Sequence, residues 1–176
     1  MNQITVLLVE DHTVVREGFR RMLELESDMK VVGEAQDGRQ GVAMTKSLRP
    51  DVVLMDIAMP LLNGLEATRQ VTKAVPGSRV LILSAHNDDA YVESAVEAGA
   101  AGFLLKQTSS HEVCHAIREV HRGKSFFTGS LGRRRGDHQG RPVVGRRDVQ
   151  LTSREVEVLQ LIAEQRCLAK SIGKLL

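Results

Sequence analysis

ITVLLVED, residues 4–11, is the stretch on which the fold turns: six residues that are apolar except for Thr5, then two carboxylates. Six residues are too few for a core helix, and a run that is apolar at both odd and even positions suits a strand buried on both faces. Burial on both faces requires a parallel sheet with helices on each side, and the abrupt change to Glu10 and Asp11 marks the strand's carboxyl end.

Working outward, the same unit recurs. Short apolar runs at Val31–Ala35, Val52–Met55, Val80–Leu83 and Ala101–Leu105 alternate with helical patterns at Val14–Leu25, Gly41–Leu48, Leu65–Val75, Tyr91–Ala98 and Ser109–Val120. The expectation is an α/β, doubly wound, five-stranded parallel sheet over residues 1–122. In such folds ligands bind beyond the carboxyl ends of the strands. Those ends carry Glu10 and Asp11 after the first run, Asp56 after the third, Ser84 after the fourth and Lys106 after the fifth. Three carboxylates brought together repel one another unless a cation neutralises them. All-oxygen ligands at a solvent-facing site suit Mg²⁺, and a lysine and a hydroxyl across the crevice suit a doubly charged phosphoryl group. The alternative is that these are the ordinary polar ends of loops, but the same pattern of reactive residue types at successive strand ends is more than loop polarity supplies.

The segments LLVEDH, VVLMDIAMPLLNGLEATR, LILSAH and AGAAGFLLK, taken in order, resemble the signature segments of response-regulator receiver domains over about residues 3–122. The resemblance implies a CheY-like fold in which Asp56 takes phosphate from a phosphohistidine of a sensor histidine kinase, while Glu10, Asp11, the Asp56 side chain and the Ala58 backbone carbonyl hold Mg²⁺. It further assigns Ser84 and Lys106 to the phosphoryl oxygens and Phe103 to an aromatic switch that turns inward when Ser84 moves. Gln107 follows Lys106 where many receivers have proline, which is similar to receivers of the NarL/FixJ type. Such a protein is not a turnover enzyme; it catalyses only its own phosphorylation and dephosphorylation. A homodimer on phosphorylation is implied as well.

Competing readings of a doubly wound sheet fit less well. A flavin phosphate would meet Glu10 and Asp11 in the first loop and be repelled, and the glycine fingerprint of a dinucleotide site is missing there, the nearby Gly18 falling inside a helix. His111, Cys114 and His115 have a spacing from which zinc ligands can be drawn, but Val113, Ala116, Ile117 and Val120 mark the packing stripe beside them, which leaves the histidines to a solvated face that suits a dimer surface. His12 reads as a solvent-facing loop histidine, and Met44, Met55 and Met59 as core or loop filler. Cys114 and Cys167 are far apart without a C-x-x-C spacing and are assigned to packing. No apolar run approaches the roughly 18 to 20 residues that span a bilayer. The N-terminus has no basic region before its apolar run, so a cytoplasmic protein is expected.

The net charge of +2 conceals an asymmetry: residues 1–122 hold 13 Lys/Arg and 17 Asp/Glu, which leaves 11 and 5 for the remainder. Much of that excess falls in residues 123–150, where Arg133, Arg134, Arg135, Arg141, Arg146 and Arg147 are interleaved with six glycines, the composition of a basic, flexible linker. LTSREVEVLQLIAE then carries a capping box, Thr152 with Glu155, and an apolar face of Val156, Leu159, Ile162 and Ala163. This helix resembles the first helix of a LuxR-type helix-turn-helix domain, so residues 151–176 are expected to be a partial all-α domain. Leu168–Leu176 has room for a second helix, and no recognition helix follows to enter a major groove. Two functions therefore stay open: a transcriptional regulator binding promoter DNA, and a receiver-only interaction module without specific DNA binding.

Overall fold

The computed structural model describes residues 3–85 and 89–128. Strand and helix alternate from the start: β1 (Ile4–Val9), α1 (Thr13–Glu24), β2 (Met29–Ala35), α2 (Gly38–Leu48), β3 (Val52–Asp56), α3 (Gly64–Ala74), β4 (Arg79–Ser84), α4 (Asp89–Glu97), β5 (Gly102–Leu105), α5 (Ser110–His121) and β6 (Phe126–Phe127). The strands pair in parallel in the order β2-β1-β3-β4-β5-β6.

The near-continuous apolar runs are explained by two cores, one on each face of the sheet. Val6, Leu8, Leu54, Leu81, Leu83 and Leu104 pack with Leu23 of α1 and with Val113, Ile117 and Val120 of α5. Their strand neighbours Leu7, Val9, Val53, Met55, Ile82 and Phe103 face the other way, onto Val42 of α2, Ala67 and Val71 of α3, and Val92 and Ala95 of α4. Full burial of each such side chain contributes about 1.5 to 3 kcal/mol, so a polar residue at either parity would be costly. Helix starts are set by side-chain caps: Asp37 accepts from the Gln40 amide at 2.9 Å, and Asn63 from the Glu66 amide at 2.9 Å. Arg49 ends α2 in the left-handed region, at φ 46°.

Successive crossovers run outward from β1, first to β2 on one side and then to β3 on the other. The strand order thus reverses between β1 and β3, and the crevice opens at that point. Glu10 and Asp11 leave β1 there, and Asp56 closes β3 beside them.

A sixth strand joins the five expected, and it lies in the segment assigned to the linker. Gly123, at φ 85°, turns the chain out of α5. The Phe126 amide then donates to Ala101 O and the Thr128 amide to Phe103 O, each at 3.0 Å. Phe126 packs on the α1/α5 core and Phe127 on the opposite one, so two aromatic rings straddle the edge of β5. Residues 129–176, which carry the rest of the expected linker and the helix-turn-helix fragment, lie outside the described residues.

Candidate phosphoacceptor and metal site

Glu10, Asp11, Asp56 and Lys106 meet at the crevice. Glu10 follows β1, with its amide donating to Ala35 O at 3.0 Å and its carbonyl accepting from the Arg16 guanidinium at 2.7 Å. Asp56 is the last residue of β3 and only 2 % exposed. Lys106 follows β5; its amide donates to Ser84 O at 2.8 Å, which ties the ends of β4 and β5 together. Ser84 itself is buried.

The side chains form one charged knot. Lys106 Nζ lies 2.7 Å from Glu10 Oε2 and 2.9 Å from Asp56 Oδ2, bridging the two buried carboxylates. Both oxygens, with Asp11 Oδ1, are buried, and the groups that face them are the Lys106 ammonium and His12 Nδ1. One ligand atom from each of Glu10, Asp11, His12 and Asp56 falls within 4.8 Å of all the others. This donor set of carboxylate oxygens around one small space fits a hard cation.

The electrostatics follow from burial. Desolvation pushes the Asp56 carboxyl above its ordinary value, and the charge of Glu10 adds to the rise; Lys106 and the Ala58 amide, which donates to the carboxylate, oppose it. Lys106 is desolvated too, but its two carboxylate partners outweigh that and hold it above the ordinary lysine value, firmly an ammonium. Three acidic side chains gathered around one ammonium leave the pocket short of positive charge, which a divalent cation would supply.

His12 is the solvent-facing loop histidine expected from the sequence, and it also joins the acidic cluster. Its side chain is 65 % exposed, as a loop histidine should be, yet Nδ1 lies 2.8 Å from Asp11 Oδ1 and 3.1 Å from Glu10 Oε1. The hydrogen bond to Glu10, then the charge of Asp11, raise its pKa. The adjacency of His12 to Asp11 in sequence was the only signal of this contact.

The remaining assignments fall where packing dictates. Phe103 is completely buried, its ring already inward. Ala58 is exposed in the loop after Asp56, a loop in which Leu61 is held at φ 65°, a region leucine rarely adopts. Met55 and Met59 are buried and Met44 packs against the same core, as filler residues should. In α5, Cys114 is buried in the core while His111 and His115 are exposed, so the three do not converge as ligands. His115 instead rests edge-on against the Phe126 ring, with centroids 5.7 Å apart.

Comparisons with known proteins agree with this architecture. Residues 6–118 match the family model of the response regulator receiver domain. The transcriptional regulatory protein LiaR of Bacillus subtilis (strain 168) is 38 % identical over 174 residues, covering 97 % of this chain and 81 % of LiaR. The signal receiver domain of the response regulator NarL from Mycobacterium tuberculosis superposes with a TM-score of 0.69 at 37 % identity, over 70 % of this chain and all of that one. The isolated receiver domain of RcsB from Salmonella enterica serovar Typhimurium, solved in the presence of the phosphomimetic BeF3-, superposes with a TM-score of 0.67 at 25 % identity, over 75 % of this chain and 98 % of that one. Among the described residues no helix is long and apolar enough to cross a membrane.

Proposed function

The chain belongs to the two-component response regulators of the NarL and LuxR type, and on that premise we propose that Asp56 accepts a phosphoryl group from a phosphohistidine of a sensor histidine kinase in the cytoplasm. One observation carries this reading: Glu10, Asp11 and Asp56 converge at the strand-order reversal with Lys106 bridging two of them.

Glu10, Asp11 and Asp56, with the Ala58 carbonyl, would hold Mg²⁺. When bound, the metal supplies positive charge against the carboxylates and the incoming phosphoryl oxygens. In the transfer an Asp56 carboxylate oxygen attacks phosphorus, and the O–P bond forms as the P–N bond to the donor imidazole breaks. The electron pair of that bond stays on the imidazole nitrogen, and a donor already protonated at its other ring nitrogen departs as neutral imidazole; the product is an acyl phosphate. Such a reaction asks for alignment and charge stabilisation more than for a protein base. Lys106 needs only to leave Glu10 and follow the charge on Asp56, while Ser84, one strand over, offers a hydroxyl to a phosphoryl oxygen. Phe103, packed inward from the outset, would report the rearrangement to the edge formed by β5 and β6. The same acyl phosphate can be returned to water, so phosphorylation and dephosphorylation of itself are the only catalysis we assign. A homodimer in the phosphorylated state and control of promoter DNA complete the proposal, both taken from the family.

The test is labelling of the full chain by a small phosphodonor such as acetyl phosphate, with and without Mg²⁺. Labelling should require the metal, and Asp11→Ala should lose metal affinity. Lys106→Ala and Ser84→Ala should still bind metal but fail to change conformation on labelling. If either lost Mg²⁺ affinity as severely as Asp11→Ala, the division between metal ligands and switch residues would be wrong.

A further inference from the structure

Among the described residues Arg16 is the one buried arginine, with a side chain 8 % exposed, and the chemistry above makes no use of it. It lies on α1 one turn after the acidic loop, and its own amide closes that turn by donating to His12 O at 2.9 Å. Burying a guanidinium is costly unless it is paired and its donors are used. Both conditions are met: Nε donates to Glu34 Oε2 of β2 at 3.1 Å, and the terminal NH1 reaches Glu10 O at 2.7 Å. Glu34 is further neutralised by Arg20, 3.7 Å from its other oxygen.

The Glu10 carbonyl is a telling partner. It lies one residue past the last paired position of β1, where the ladder to β3 has ended at Val9 and Met55. The Glu10 amide is already committed to Ala35 O. The Val9–Glu10 peptide is thus held by the sheet, and the next one, which joins Glu10 to Asp11, is held at its carbonyl by the charge-assisted hydrogen bond from Arg16. Both residues aim their carboxylates from that peptide, so a rotation there moves both oxygens at once.

We propose that Arg16 is a positioning residue for the cation site: it orients the Glu10–Asp11 peptide, and so the two carboxylates, without touching the ion or the phosphoryl group. The inference rests on the metal reading given under Proposed function. Partners that orient a ligand from behind typically change metal affinity by about 10- to 100-fold.

The experiment is calorimetric titration of the full chain with Mg²⁺ alone, with amide shifts of Glu10 and Asp11 followed in parallel and the metal-free melting temperature measured separately. Arg16→Met should weaken Mg²⁺ binding by about ten-fold or more and shift both amides before metal is added. Arg16→Lys keeps the charge and one donor but not the fork, so it should restore part of the affinity. Glu34→Gln cuts the salt bridge and leaves the bond to Glu10 O, so it should lower the melting temperature while binding Mg²⁺ close to wild type. If Arg16→Met and Arg16→Lys bind as wild type while Asp11→Ala does not, the proposal is overturned and the metal site stands. A loss in Glu34→Gln equal to that in Arg16→Met would also overturn it, since the effect would then come from the network's stability and not from the carbonyl. If Asp11→Ala itself binds as wild type, the metal reading fails and this proposal with it. Should Arg16→Met not fold, Arg16→Lys against Glu34→Gln decides the matter by the same comparison.

Discussion

Gly64→Ala tests whether the backbone beneath Asp56 is as tightly held as the site demands. Gly64 opens α3, and its amide donates to Ile57 O at 2.9 Å. A Cβ built there would lie 1.8 Å from the Asp56 carbonyl oxygen, 2.8 Å from its carbon and 3.0 Å from Ile57 Cα, all backbone atoms of Asp56 and its neighbour. Ordinary contact needs about 3.5 Å, so helix or strand end must move by roughly 1.5 Å. Two effects oppose each other. Alanine's better helix propensity favours the variant by at most about 1 kcal/mol. Overpacking against rigid backbone costs about 1 to 3 kcal/mol or more, and it should win. The larger consequence is chemical, because misplacing a reacting group by about 1 Å can cost on the order of 100-fold in rate. We expect Gly64→Ala to unfold at lower urea and to take label from acetyl phosphate slower by about that factor. Gly18→Ala is the control: that exposed glycine of α1 has nothing within 4 Å of its added Cβ, so it should be neutral or slightly stabilising. Wild-type labelling and stability in Gly64→Ala, or equal damage in Gly18→Ala, would refute the reasoning.

Ile117→Ala, at a fully buried position of α5, should cost about 2 to 5 kcal/mol in urea unfolding, and a loss under 1 kcal/mol would contradict the packing described. Burial pushes the Cys114 thiol above its ordinary value, so in a Cys167→Ser background it should resist iodoacetamide until the protein is unfolded; rapid alkylation of the native state would contradict that. The Arg118 guanidinium holds the Asp28 carboxyl below its ordinary 3.8, so this pair stabilises the fold above that pH and is lost as pH falls through the depressed value. Arg118→Met should accordingly be less stable than wild type at neutral pH and converge on it in acid, by a modest and salt-sensitive amount because Asp28 is 45 % exposed; a gap that persists in acid would exclude the linkage.

The parts of the fold legible in the sequence are those with a period. ITVLLV and VLIL read as strands buried on both faces because both parities are apolar, and in the structure each parity meets its own core. The candidate site was legible because strand ends in such a sheet must gather at one edge, so residue types alone picked out Glu10, Asp11, Asp56 and Lys106, which the fold brings together. What stayed hidden had no pattern to betray it. β6 has two residues, too few for any period, and sits in a stretch whose glycines and arginines suggest a tether. Arg16 looks in sequence like the solvated face of an amphipathic helix, and its burial depends on Glu34, eighteen residues away. Gly64 gives no hint that a carbonyl lies against its Cα, since that approach exists only once β3 and α3 are folded together.

The central claim, that Asp56 is the phosphoacceptor, is tested most directly by locating the acyl phosphate. The full chain is treated with acetyl phosphate and Mg²⁺, the product reduced with borohydride, and its peptides sequenced. The account predicts homoserine at position 56 and nowhere else, with no labelling of Asp56→Asn. Undiminished acid-labile labelling of Asp56→Asn, or homoserine at Asp11 in place of Asp56, would contradict it.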